Sequence, residues 1–446
     1  MEEKFSFFLF IIIEFKDKMN YYKLIILCFY ILISFSFENS DYDLLLQWGK
    51  NNSMKISDKI QIEFINENNK TFFAQDNIIK GEEILNIPNS ILLNIENTLK
   101  LYGKQANKLY SELKSKLNSS SNFNIEQSFI AYIMYKVNKN KNHKKNKFYN
   151  HYQYLFNTYE TNFDSFPLFY SIEQKNLLRS TSLSFLINKM NRIFDEEIEF
   201  YEKELKQKKI NKEDYYVFRT YSQSKSFNIS GHSVIIPFLD MFNKHPTKFN
   251  TEVIASDYNV RVIATKDIYP GDKLFIKSNT LTNHNALMYF GITFEEIIER
   301  VENYYIPILN PSLIKNHNID LDADSSLAEY FTNYMEIKSN NNEFYLKYIE
   351  VYKKLAKKFE LEEDELSAYN LILENMLTIK ELNNQINPYI YKIFYQQKDI
   401  NNILTILKTE NRFLDEKIDL MKYLVNKIVR ENEENKIEDI NLDLDL

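Results

Sequence analysis

The residue types that most often carry chemistry are scarce in this chain of 446 residues. Its one cysteine, Cys28, lies in an apolar run, and its 6 histidines show no paired spacing. The sequence therefore excludes an intrachain disulfide framework, a thiolate zinc cluster and a cysteine nucleophile in the folded body. The 6 glycines are scattered, and neither a phosphate-cradling loop nor a serine–histidine–aspartate order is present. We expect no metal site.

Two segments concentrate polar and aromatic side chains, namely IIPFLDMFNKH at 235–245 and LTNHNALMYFGI at 281–292. The amide of Asn243 in the first segment can both donate and accept hydrogen bonds. The alternative for Asn243 is a turn residue that follows a strand.

The composition favours a folded protein whose partner is a protein or a small molecule. Apolar residues make up 44% of the chain, which includes 32 Tyr and 34 Phe. The length allows two domains with substantial cores or one unusually large domain. The net charge of −7 argues against a nucleic-acid binder that relies on phosphate contacts.

The elements that must position these segments alternate between strand-rich and helical stretches. The residue patterns predict, in order, a short helix at 42–52, strands at 59–88, helices at about 95–215, strands at 233–278 and helices from 296 onward. The basic stretch at 138–147 is either a solvated connection or a contact for an acidic substrate. A strand-rich module that is split by a helical insert needs both halves to fold together.

This organisation resembles the SET-domain proteins similar to RuBisCO large-subunit methyltransferase and the actin-histidine methyltransferase. TFFAQDNIIKGEEILNIP at 71–88 resembles the first hairpin of that family, and PLFYSIEQKNLLRSTSL at 167–183 resembles part of its insert. SQSKSF at 222–227 occupies the place of a Ser-Arg-x-Phe motif, and 235–245 aligns with a Pro-Leu-x-Asp-Met-x-Asn-His signature. GDKLFIKSNTLTNHNALMYFGI at 271–292 aligns with the closing motifs. The order and spacing of these fragments carry the resemblance over most of the chain.

The resemblance implies an α+β fold, in which a β-rich SET core is split by a helical insertion and followed by an all-helical C-terminal substrate-binding domain. It implies a SET domain at 41–295, a helical domain at 296–430 and an acidic tail at 431–446. The implied function is the transfer of a methyl group from S-adenosylmethionine to a protein side chain, with lysine expected before histidine. The C-terminal helices would hold the protein substrate.

Methyl transfer is an in-line displacement, so positioning contributes much of the rate enhancement, and the nucleophile must be a neutral amine or imidazole in a dry aromatic channel. The resemblance assigns cofactor binding to six residues, Lys70, Thr71, Phe72, Lys225, Asn243 and Lys244. It assigns the channel walls to Phe227 and Phe290, for which a core role is the alternative. Asp240 matches a family aspartate and is expected to be structural.

Three departures from the family pattern affect the cofactor site. Lys244 stands at the histidine of the signature, and Asn69 and Thr71 stand where a Gly-x-Gly lets the first hairpin approach the cofactor. Lys225 stands where an arginine is expected, which keeps the charge but loses the planar fork.

The fourth departure affects catalysis directly. Ser278 stands where a tyrosine that lines the methyl-transfer site is expected, and a serine hydroxyl lacks the reach of a phenol. Tyr289, beside Phe290, could replace that tyrosine only if the alignment shifts by one residue. The alternative function is therefore a catalytically inactive SET-like module that binds a protein.

The N-terminal residues 1–40 form a hydrophobic leader. LIILCFYILISFSF at 24–37 is closer in length to a signal-peptide core than to a membrane-spanning helix, and a membrane anchor is the alternative. A secreted methyltransferase would need imported cofactor, so a signal peptide would favour the inactive module. The localisation is the secretory pathway if the leader is a signal, and otherwise the cytoplasm or nucleus.

Overall fold

The computed structural model describes residues 43–66, 69–117, 124–139, 163–205, 209–277, 282–298, 303–317, 334–338, 343–386 and 397–444. The leader at 1–40 and most of the basic stretch at 138–147 lie outside the described residues. No helix within the described ranges is long and apolar enough to cross a membrane.

A mixed six-stranded sheet is the centre of the N-terminal part. The strands described up to residue 298 are β1 (Lys55–Ile56), β2 (Ile60–Asn66), β3 (Asn69–Ala74), β4 (Glu83–Pro88), β5 (Ser226–Ile229), β6 (His232–Ile235), β7 (Asn243–His245), β8 (Thr251–Ala255), β9 (Asn259–Ala264) and β10 (Phe275–Lys277). The large sheet has the order β1-β4-β9-β8-β10-β7, while β2 with β3 and β5 with β6 form two separate pairs. Neighbouring strands are antiparallel, except that β10 runs parallel to both β7 and β8.

The sheet joins segments from both sides of the helical insert. Strand β4, which precedes the insert, pairs along its length with β9, which follows it. Side chains of β9 alternate between half-buried and buried, as expected for a strand with one face on a core. The two strand-rich stretches therefore form one module, as the sequence predicted.

The described helices of this part are α1 (43–51), α2 (Ile95–Leu117), α3 (Ile125–Lys139), α4 (Ile172–Leu177), α5 (Ser182–Leu205), α6 (Lys212–Lys225) and α7 (Asn283–Phe290). Helix α6 begins at a side-chain cap, because Asn211 accepts a hydrogen bond from the Asp214 amide. The helices α3 and α5 share a buried aromatic contact, in which Tyr132 stacks on Tyr201 with centroids 4.1 Å apart. The insert thus continues to Lys225, beyond the predicted end near 215.

The C-terminal part contains a strand pair in addition to helices. Strands β11 (Asn303–Pro307) and β12 (Tyr334–Lys338) are antiparallel, and they precede α9 (Ile349–Lys358), α10 (Glu365–Gln385) and α11 (Gln397–Leu444), with α8 (Pro311–Asn316) between the strands. The expectation of an all-helical region needs this correction. Side chains at every second position of both strands are buried, which is the pattern of a strand with one face on a core. These buried residues are Tyr304 and Ile306 on β11 and Met335 and Ile337 on β12. Helix α11 also runs through the predicted acidic tail.

One buried carboxylate ties the two parts together. Glu410 on α11 accepts hydrogen bonds from the Ser182 amide at 2.8 Å and from the Tyr304 hydroxyl at 3.1 Å, and lies 2.7 Å from His284 Nε2. These partners come from α5, β11 and α7, so a single side chain links three elements to the long C-terminal helix. The contact fixes α7, which ends in the candidate site.

Candidate active site

The IIPFLDMFNKH segment turns sharply before it enters the sheet. Phe238 is fully buried and has φ 69°, a left-handed conformation that is uncommon for a residue with a Cβ atom. A 3₁₀ turn over Leu239–Met241 follows, and the chain then enters β7 at Asn243 and Lys244. Strand β10 holds this edge of the sheet, with Phe275 opposite Asn243. Asn243 and Lys244 are therefore adjacent polar residues on an edge strand of the sheet.

The Asn243 amide lies against the first hairpin. Its Nδ2 donates a hydrogen bond to Oγ1 of Thr71 on β3, and Thr71 is fully buried. The rings of Phe72 and Phe242, the residues next to this pair, have centroids 4.9 Å apart. The side chain that replaces a family glycine at position 71 is therefore turned toward the Asn243 amide. The structure brings together Thr71, Phe72 and Asn243, three of the residues to which the resemblance assigns cofactor binding.

The Lys244 ammonium is enclosed by two aromatic rings and a carbonyl. Its Nζ donates a hydrogen bond to the Ser224 carbonyl at 3.0 Å and lies 4.8 Å from the Phe227 centroid and 4.3 Å from the Phe290 centroid. Both distances are within the range at which a ring face attracts a cation. We call the Ser224 carbonyl with the Phe227 and Phe290 rings the amine seat. One residue predicted to bind cofactor and two predicted to line the channel thus form one cluster.

Three elements build the amine seat from distant parts of the chain. Helix α6 ends at Lys225, so Ser224 is in its last turn, and Phe227 follows on β5. Helix α7 is capped at its start by Thr282 and ends after Phe290 at Gly291, whose φ of 65° is readily adopted by glycine. Both Phe227 and Phe290 are half-buried.

Tyr289 is half-buried next to the seat residue Phe290. Burial raises the pKa of its phenol, while a hydrogen bond from Gln223 and the positive charge of Arg219 lower it in part. The phenol therefore stays protonated at neutral pH. Its hydroxyl faces the end of α6, where Gln223 and Ser224 lie.

A buried ion pair under the site was not predicted from the sequence. The Arg219 Nε on α6 donates to both carboxylate oxygens of Glu197 on α5, at 3.1 and 2.9 Å, and the Tyr215 hydroxyl donates to the same carboxylate at 2.8 Å. The Arg219 guanidinium also lies 4.9 Å from the Phe194 centroid. In the sequence, the only local indication of this ion pair is the spacing of Tyr215 and Arg219, which are four residues apart on one helix. The same spacing is equally typical of an exposed helix face.

His245 ends β7 in an apolar environment. Its Nδ1 accepts hydrogen bonds from the Lys248 amide at 2.8 Å and the Thr247 amide at 3.2 Å, and its ring meets the Phe294 ring edge-on. Burial lowers the pKa of His245, with Glu296 opposing and Lys248 reinforcing the shift. Because the folded state holds the neutral ring, the stability that it contributes is present above the unfolded pKa near 6.5 and is lost as pH falls.

The remaining predicted residues are described only in part. Lys225 is the last residue of α6, and its side chain is half-buried. Ser278, assigned to the methyl-transfer position, lies outside the described residues, as do the side chains of Lys70 and Asp240. Within the described residues, no group of three or more His, Cys, Asp or Glu side chains could hold a metal ion.

The chain matches known proteins by structure but not by sequence. No protein-family model matches the chain, and no curated protein matches it by sequence. Among solved structures, the SET domain of LSMT bound to lysine and AdoHcy matches with a TM-score of 0.59 at 13% identity, covering 86% of this chain and 91% of that one. Rubisco LSMT bound to AdoMet matches with a TM-score of 0.56 at 12% identity, covering 87% and 92%.

A third match is Rubisco LSMT bound to sinefungin and monomethyllysine, with a TM-score of 0.56 at 13% identity over 85% of this chain and 90% of that one. At these identities the likeness establishes the fold. The chain therefore has the fold of the SET-domain proteins. Its arrangement is similar to that of Rubisco LSMT, and in this chain a strand-rich part precedes a mainly helical C-terminal part. This confirms the predicted resemblance and the α+β fold class.

Proposed function

We propose that this chain is a SET-type protein methyltransferase that transfers a methyl group from S-adenosylmethionine to a lysine side chain. The observation that carries the proposal is the amine seat, which holds the head group of the residue after Asn243 in a protein with a SET fold. A seat of two ring faces and a carbonyl suits a primary ammonium, which has one charge and three donors.

The donor set at β7 fits the proposed cofactor. The amino-acid end of S-adenosylmethionine has an ammonium and a carboxylate, and the half-buried Asn243 amide has one acceptor and one donor group. Thr71 and Phe72 would line the same end, while Lys70 and Lys225 would add positive charge and Lys244 would contribute backbone groups. When bound, the cofactor supplies a methyl group on a sulfonium. Phe227 and Phe290 would attract the target ammonium and exclude water from the channel.

The protein substrate would be held by the C-terminal helices, with the SET domain at 41–295 and the helical region at 296–430 as units. Ser278 would lie at the methyl-transfer position. A membrane would be contacted only through residues 1–40, if that leader is kept.

The first test is calorimetric titration of S-adenosylmethionine into the protein. We expect micromolar binding, and we expect Asn243→Ala to weaken it by roughly 10- to 100-fold, because a hydrogen bond to a charged group contributes about 1.5–3 kcal/mol. Asn259→Ala is the matched control. Asn259 is also a half-buried strand asparagine, and it donates to Asn86 at 3.0 Å on the far side of β8. The control should bind like the wild type.

Transfer itself is tested with tritiated cofactor and an array of lysine peptides. Incorporation that depends on Asn243 would support the enzyme. If the folded protein does not bind millimolar cofactor, the enzyme hypothesis is wrong.

One observation favours the alternative, an inactive SET-like module that binds a protein. The chain's own Lys244 fills the amine seat, and Ser278 stands where the family pattern has the tyrosine that lines the methyl-transfer site. Cofactor binding without transfer to any peptide would support this alternative.

A further inference from the structure

The amine seat contacts the terminal group of Lys244. The Nζ atom meets the Ser224 carbonyl at 3.0 Å and two ring faces at 4.8 and 4.3 Å. Each contact depends on the charge or the donors of the ammonium, and each would be available to any primary ammonium on a flexible apolar stem.

The same rings are the channel walls of the proposed reaction. A target lysine that uses Phe227 and Phe290 would bring an identical head group to the same two ring faces. Two ammonium groups cannot share these contacts, because they would occupy one volume and repel each other. Occupation by Lys244 and by a target amine must therefore exclude each other.

We propose that Lys244 is an intramolecular occupant of the amine seat and that a target amine binds only when Lys244 withdraws. This inference rests on the proposed function, since it gives the seat its role as the substrate position. The lysine stem has four flexible carbons, and β7 is an edge strand, so withdrawal needs side-chain rotation without a change in the sheet.

Occupation lowers the apparent affinity for an external amine by the fraction of time that the seat is open. If the seat is open about one tenth of the time, the apparent Kd rises about tenfold. Lys244 therefore excludes amines that bind the seat weakly. A target lysine can displace it when the protein around that lysine makes additional contacts.

The first test is an amine probe, n-butylammonium, titrated by ligand-observed NMR into wild type, Lys244→Ala and Lys244→Met. Alanine opens the seat, whereas methionine fills it without a charge. We expect Lys244→Ala to bind the probe about tenfold more tightly than either of the other two proteins. Equal binding by all three proteins would overturn the inference.

The second test is the rate of acetylation of lysines by an N-hydroxysuccinimide ester, followed by mass spectrometry. Lys248 is the internal reference, because its side chain is 68% exposed on the same segment. We expect Lys244 to react at least about five times more slowly than Lys248, and Phe290→Leu to remove this protection. Equal reactivity in the wild type would refute occupation without relying on any variant.

The two hypotheses fail separately. If the protein does not bind S-adenosylmethionine but Lys244 is acetylated slowly, the proposed enzyme is wrong and the inference that Lys244 occupies the seat stands. Normal cofactor binding with an unprotected Lys244 would count against the occupant alone.

Discussion

Removal of Arg219 should destabilise the protein severely, because its partner would stay buried as an uncompensated charge. Glu197 is 0% exposed and Arg219 is 3% exposed, so neither carboxylate nor guanidinium reaches bulk water. In Arg219→Met, the Glu197 carboxylate keeps only the Tyr215 hydroxyl among the hydrogen bonds described for it. Methionine preserves an unbranched apolar stem against Phe194.

The magnitude follows from the burial of both partners. Breaking one side of a buried ion pair costs about 3–5 kcal/mol, which corresponds to a change of roughly 100- to 5,000-fold in the unfolding equilibrium. Replacing both partners by apolar residues of similar size is often close to neutral. In Glu197→Leu with Arg219→Met, the Tyr215 hydroxyl would lose its carboxylate acceptor and keep the Ser128 hydroxyl at 3.3 Å, which costs about 1 kcal/mol. We therefore expect the double variant to be more stable than the single one.

Urea unfolding measures these changes. The chain has one tryptophan, Trp48, which is 7% exposed in the folded core, so tryptophan fluorescence reports on the N-terminal part. Circular dichroism on the same samples tests whether the helices unfold together with it. A loss below about 1 kcal/mol in Arg219→Met, or a double variant less stable than the single one, would refute the reasoning.

Three further predictions address other parts of the molecule. Glu410→Gln should lower the free energy of unfolding by about 1–3 kcal/mol, measured by urea unfolding, because both carboxylate oxygens have buried partners and an amide offers only one acceptor oxygen; an unchanged midpoint would contradict the linking role. From pH 7 to 5.5 the wild type should lose stability as the unfolded state takes up a proton on His245, and His245→Gln should flatten this part of the profile, measured as Tm; parallel profiles would contradict it. Gly291→Ala should cost more than Gly271→Ala, by about 1 kcal/mol or more in urea unfolding, because both have positive φ but only at 291 would a Cβ meet neighbouring atoms, the nearest at 2.5 Å; equal costs would show that the neighbours give way.

Much of the fold was predictable because local patterns record which side of an element is buried. Alternating apolar and polar residues predicted strands at β4 and β9, and apolar residues at helical spacing predicted helices at α3 and α10. The order of these elements, together with Asn243 in its signature, was enough to predict the split module. Local patterns gave weaker signals for short elements, which is why β11 and β12 were missed.

The amine seat was only half predictable. The resemblance proposed Phe227, Phe290 and Lys244 as site residues, but it assigned Lys244 to the cofactor and the rings to the channel. That the three meet at one ammonium depends on where α6 ends, how β5 leaves it and how α7 packs. No residue pattern within one element contains that information.

The sequence by itself determined the class of fold and the order of the strand-rich and helical stretches. These follow from residue type, periodicity and order, which are local properties of the chain. The tertiary structure alone decided that Arg219 and Glu197 pair, that Glu410 joins α11 to three other elements and that Lys244 fills the amine seat. Each of these contacts joins side chains from separate elements, and the packing of those elements sets the distances on which ion pairs and cation–ring attraction depend.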